Sequence, residues 1–141
     1  MWPESGPGVV APEPILPAMT ALLPNLWNSN NSVPLDVEAT TEAINQSRRR
    51  HVLLLVDEQS EPLSAGQLAE EIAASELNKE IPDLNAQERK RVYIALVQCH
   101  LDTLNKTGAI EYDERAKQVN ANDATAGIAD LIRHLESVCE P

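Results

Sequence analysis

The first 45 residues contain neither lysine nor arginine. A secretory leader, whose apolar stretch follows a cluster of cations, is therefore not expected. Nor does any apolar run approach the roughly 20 residues a helix needs to cross a bilayer. Cysteine is scarce: Cys99 and Cys139 show no C-x-x-C spacing and no nearby histidine pair. Cys99 adjoins His100, and neighbours on a helix point to different sides. No metal site is expected, and both thiols read as reduced and partly buried in a cytoplasmic protein. Phosphate loops, paired carboxylates and nucleophiles with a spaced base are missing too, and His51 and His134 have no such partner. The chain is therefore not expected to be an enzyme, and no cofactor or small-molecule ligand is implied.

The charge that is present is unevenly spread. Eleven cations face 22 acids, for a net charge of −11. Ten of the cations lie between Arg48 and Lys117, where thirteen acids accompany them. Residues 120–141 hold only Arg133 against four acids, and residues 1–45 hold five acids alone. Such a balance repels a polyanion at long range. Local basic clusters still act where salt confines each charge to a few ångströms. An acidic, lysine-poor surface suits solubility in concentrated salt, although an ordinary acidic cytosolic protein has one as well.

A chain of 141 residues accommodates one domain plus tails. Residues 1–34 hold seven of the ten prolines and the polar run Asn28 to Ser32, which predicts a disordered tail. Its apolar words Ile15-Leu16, Ala21 to Leu23 and Leu26-Trp27 could dock on a partner, and Met19 offers an alternative start. Order is expected from Leu35. Asp36 can cap a helix through Ile44. The next helix, Arg48–Glu58, is apolar nearly all round at Val52 to Val56. After a break at 59–62, Ser64 with Gln67 has the form of a capping box and opens a helix to Glu76. A connector over Leu77–Leu84 contains Pro82.

Asn85 with Glu88 repeats the capping box and opens a long helix, Ala86–Thr107. Val92, Leu96, Cys99, His100 and Leu104 form its inner side, with His100 expected as a hydrogen-bonded core or boundary residue. Gln87, Arg91, Ile94 and Gln98 point outward, with Lys90 on the flank. Gly108 suits the left-handed position after a helix end. Ile110 and Tyr112 then alternate with acids as a half-exposed strand, and Val119 is the inward residue of its return strand. Tyr93 and Tyr112 are read as core aromatics. Ile128, Leu131, Ile132, Leu135 and Val138 define a last amphipathic helix.

The fold class that follows is mainly α with a small β-hairpin, in three segments: a tail over 1–34, a domain over 35–120, and a linker plus helix over 121–141. The order helix, helix, long helix, hairpin resembles a winged helix-turn-helix with an extra C-terminal helix. More specifically, the run from Ser47 to Arg50, the block from Gln87 to Leu101 and the run from Gly108 to Asp113 are similar to a winged-helix family of halophilic archaea. That family is known mainly as a domain of unknown function. The resemblance covers about residues 35–120 and implies a role in transcription, with no operator or ligand attached. A looser similarity links Val97 to Leu104 and Gly108 to Ile110 with small metal-responsive winged-helix repressors. Their metal-binding cysteine and histidine sets have no counterpart here, and the 77–84 connector is longer than their tight turn.

The leading expectation is a transcriptional regulator that binds double-stranded DNA. The helix over 86–107 would enter the major groove and the hairpin over 109–120 would act as the wing. Gln87, Lys90, Arg91 and Gln98 are the candidates for bases, since Gln pairs with adenine and Arg with guanine. Arg48, Arg49, Arg50, Arg115 and Lys117 are the candidates for phosphates, with internal salt bridges to Asp57, Glu61 or the acidic pair Glu70-Glu71 an equal expectation for the first three. A homodimer is expected through Ile128, Leu131, Ile132 and Leu135, because the last helix is too short and one-sided to stand alone. The rival reading is a winged-helix protein–protein interaction or dimerisation module without DNA readout. Net charge, Ile94-Ala95 on the reading face and the acids Glu111, Asp113 and Glu114 in the wing all favour it.

Overall fold

The computed structural model describes residues 32–140. The expected tail over 1–34, its apolar words and Met19 thus lie, apart from Ser32 to Pro34, outside the described residues. Helix α1, Val37–Ile44, starts where the Asp36 carboxylate accepts from the Ala39 amide at 2.7 Å. Helix α2, Ser47–Glu58, has no side-chain cap and is held by burial of Val52, Leu53 and Val56. Strand β1, Leu63–Ser64, leads directly into α3, Ala65–Leu77. There the expected capping box is closed in both directions between Ser64 and Gln67. Asn78 ends α3 in the left-handed conformation, and a 3₁₀ turn at Ile81–Asp83 carries Pro82 through the connector.

The long helical rod is built in three parts: α4, Ala86–Ala95; a π-helical turn, Leu96–His100; and α5, Leu101–Thr107. Gly108 follows at φ 92°. A side chain there would be strained, and its Cβ would stand 3.1 Å from the Leu35 side chain. Strands β2, Glu111–Asp113, and β3, Gln118–Asn120, form the expected hairpin. The sheet has three antiparallel strands in the order β1-β3-β2, with Val119 opposite both Leu63 and Tyr112. Two residues are too few for alternation to register, which is why β1 left no trace in the sequence pattern.

Helix α6, Thr125–Val138, packs against α2, while α3 packs on α4 and α1 on α5. Leu53, Leu68, Ile72, Leu96, Leu101, Leu104, Ile110, Val119, Ile128 and Ile132 are fully buried. Each such side chain contributes about 1.5–3 kcal/mol on removal from water. A polar knot fixes the start of α6. Thr125 Oγ1 donates to the Ala109 carbonyl at 2.7 Å and accepts from the Asn122 amide, while Asn122 Nδ2 donates to the Gly108 carbonyl. Arg133 adds an ion pair to Asp57 of α2 at 2.9 Å.

The mainly helical chain with a small hairpin is as expected; two details differ. The π turn adds one residue to a helical turn, so His100 and Leu101, although adjacent, are both buried. Cys99 is thereby turned outward. It is exposed, as is Cys139, so neither thiol is partly buried as expected. Among the described residues no helix is long and apolar enough to cross a membrane.

Candidate nucleic-acid interface

Rigid placement of α4 comes from its first turn. Asn85 Oδ1 accepts from the Glu88 amide at 2.8 Å, and Glu88 Oε1 accepts from the Asn85 amide at 2.9 Å. The other Glu88 oxygen accepts from Lys79 Nζ at 2.7 Å, tying the connector to the helix. This bond, above all, holds the Glu88 carboxyl below the usual carboxylate range. Arg89 faces sideways and inward: Nη2 donates to the Ile81 carbonyl at 3.1 Å, and Nε lies 3.3 Å from Glu70 of α3. That Nε is buried and too poorly aligned with Glu70 to count as hydrogen-bonded. The capping box was legible in the sequence; the roles of Lys79 and Glu70 were not, since both depend on how α3 meets α4.

With Arg89 occupied, the outer face of α4 is left to Gln87, Lys90, Arg91 and Ile94, all exposed. These four, with Ala86, line one shallow hollow. Among the described residues neither Lys90 nor Arg91 makes an ion pair, although Arg91 lies near enough to Glu88 to help hold it ionised. Gln98 is also exposed, but it sits on the π turn, outside that hollow. Three of the four expected base readers therefore come together, and the fourth stands apart.

The β2–β3 hairpin holds its cations differently. Asp113 Oδ1 accepts from the Arg115 and Ala116 amides at 3.0 and 3.2 Å, so this carboxylate builds the turn. Arg115 is exposed at the tip. Lys117 is half-buried and left-handed at φ 56°, and its carbonyl accepts from the Ala65 amide at 2.8 Å. Glu111, Asp113 and Glu114 are exposed beside them.

The arginines at the start of α2 are mostly engaged within the protein, and for the buried Arg49 this corrects the expected phosphate contact. Arg48 binds Glu76 through two parallel bonds of 2.7 and 2.8 Å. Those bonds raise its own pKa and lower that of Glu76. Arg49 is 7% exposed. Its Nε donates to His100 Nδ1 at 3.2 Å, and Nη1 donates to the Glu42 carbonyl and Asn45 Oδ1. Nη2 lies 3.9 Å from Cys99 Sγ. A buried guanidinium cannot meet a phosphate. His100, expected as a boundary histidine, is this guanidinium's acceptor; burial foremost, and then the two arginines, depress its pKa. Arg50 is half-buried and donates to the Ile44 carbonyl. It also borders a cleft with Ile44, Ile132, Leu135, Glu136, Cys139 and Glu140.

The expected dimer residues divide in the same way. Ile128 and Ile132 are fully buried in the chain's own core, so they are not open to a second copy. Leu131 and Leu135 are half-buried, and Val138 is 62% exposed. The chain belongs to the family described as Domain of unknown function (DUF7344), whose model matches residues 41–120. That span runs from within α1 to the end of β3. No curated protein and no solved structure matches the chain.

Proposed function

We propose that this is a winged-helix protein that binds double-stranded DNA and regulates transcription, with α4 as the reading element. In this assignment α2, β1, α3, the α4–α5 rod and the β2–β3 hairpin are the successive parts of a winged helix-turn-helix. The observation that carries it is the outer face of α4, where Gln87, Lys90 and Arg91 are exposed together and both cations lack an ion pair among the described residues. Gln and Arg are the side chains that pair bidentately with adenine and guanine in a major groove. Arg115 at the hairpin tip is the wing's phosphate contact, with Lys117 beside it.

The net charge of −11 weighs against capture from a distance. It weighs less in strong salt, where screening shrinks the reach of a charge to about 3 Å at 1 M. This favours the cytoplasm of a halophilic archaeon as the setting. The test is a polarisation titration against duplex DNA across a range of salt concentrations. Lys90→Ala with Arg91→Ala should abolish specific retention; unchanged binding would sink the assignment.

The interaction-module reading draws on one observation, the exposed Ile94 amid that face. It predicts that no duplex is retained at any salt. We also propose a homodimer, with its contact narrowed to Leu131, Leu135 and Val138, since Ile128 and Ile132 are engaged inside. Sedimentation at rising concentration should show self-association that Leu135→Glu removes; a monomer throughout would end this reading.

A further inference from the structure

Among the described residues four large hydrophobic side chains are exposed: Val37, Leu77, Ile94 and Val138. Val37 opens α1, while Leu77 and Val138 close α3 and α6, and fraying helix ends tolerate such exposure. Ile94 is different. It lies well inside a continuous helical rod, 39% exposed, on the face that carries Lys90 and Arg91. A β-branched side chain there gains little from burial and is a poorer helix former than lysine, glutamine or alanine. The local physics favours a polar residue at this position, yet the chain places an isoleucine one turn beyond two cations.

Resting on the DNA reading above, we infer that Ile94 is a specificity residue that takes the C5 methyl of a thymine. That methyl is the apolar feature a base pair presents in the major groove. The hollow formed by Ala86, Gln87, Lys90, Arg91 and Ile94 suits it: an apolar floor with a guanidinium, an ammonium and an amide around the edge. Spacing adds a second expectation. Gln87 and Ile94 are seven residues apart, about 10 Å along a helix at ~1.5 Å per residue. Lying along the groove, they span about three base-pair steps of ~3.4 Å. The thymine should therefore stand about three steps from the base read by Gln87, with Arg91 reading between them.

The experiment selects duplexes from a random library with the full-length chain. Each thymine of the winning site is then replaced in turn by deoxyuridine, which removes only the methyl. One thymine should stand out, with binding weakened about fourfold, the weight of one buried CH₂. Ile94→Ala should bind the thymine and deoxyuridine duplexes equally, and Gln87→Ala should relax preference about three positions away. A flat deoxyuridine series, or an equal loss by Ile94→Ala on both duplexes, overturns the inference while leaving DNA binding intact. Enrichment of no duplex at all overturns both.

Discussion

Two runs of three consecutive cations lie in two helices of this protein, Arg48 to Arg50 in α2 and Arg89 to Arg91 in α4. On paper they are near-identical. In the fold they do different things. The α2 run is engaged throughout: Arg48 with Glu76, Arg49 beneath the surface against His100, Arg50 with the Ile44 carbonyl. The α4 run commits only Arg89, to Glu70 and Ile81, and leaves Lys90 and Arg91 facing outward. Helix geometry explains part of this. Successive residues turn by about 100°, so three in a row cannot share one face and at least one must meet a neighbouring element. The rest is set by neighbours: α2 has α1, the end of α3 and the π turn around its start, whereas α4 has only α3 and the connector on one side.

The strongest way to break the comparison is Arg49→Ala. Arg49 has no carboxylate within ion-pair distance among the described residues, so its charge is balanced only by hydrogen bonds. Truncation leaves His100 Nδ1, the Glu42 carbonyl and Asn45 Oδ1 without their donor, and opens a cavity. Urea unfolding should show a loss of about 2–4 kcal/mol. Arg49→Met strands the same three acceptors but keeps the apolar stem, so it should recover only the part of the loss that comes from the cavity. A loss below ~0.5 kcal/mol would mean that Arg49 is in effect a surface residue.

A smaller effect sharpens the same point through pH. Burial first, and then the positive charge of Arg49 and Arg48, holds the pKa of His100 in the folded state below the ordinary value. The unfolded chain therefore takes up a proton first as pH falls below about 6.5. Stability from this group is present above that pH and declines as pH falls from there towards the folded-state pKa. Glu76, also lowered, loses its contribution only at still lower pH, on passing through the carboxylate range. Urea midpoints between pH 8 and pH 5 should fall for the native chain. They should fall less for His100→Gln, which keeps an acceptor without a titratable ring.

How much of this was legible beforehand divides along physical lines. Asp36, Ser64 with Gln67 and Asn85 with Glu88 act within four residues of themselves, and each bond is seen where local chemistry placed it. Gly108 likewise takes the left-handed conformation that its position after a long helix implied. The π turn was not legible, because a helical wheel assumes one pitch throughout. The wheel therefore misassigned Cys99, while Gln98 lies on that turn, beyond the hollow shared by Gln87, Lys90 and Arg91. The fate of the α2 arginines was hidden for another reason: Glu76 is 28 residues from Arg48, and His100 is 51 from Arg49. The choice between phosphate and home partner rests on packing that no short window contains.

The smallest stability effect tests the other half of the comparison. Lys90→Ala with Arg91→Ala removes two cations that bond to nothing among the described residues, on an exposed helix face where alanine is the better helix former. Unfolding free energy should stay within about 0.5 kcal/mol of the native chain, as for surface sites in general. Against DNA each substitution made singly should lower the slope of log affinity on log salt by about 0.9 if that cation neutralises a phosphate, and by nothing if it reads a base, while the double variant should lose retention. Stability retained while retention is lost separates a reading face from a structural one. If the double substitution unfolds the protein instead, the two cationic runs are alike after all, and the distinction between them collapses.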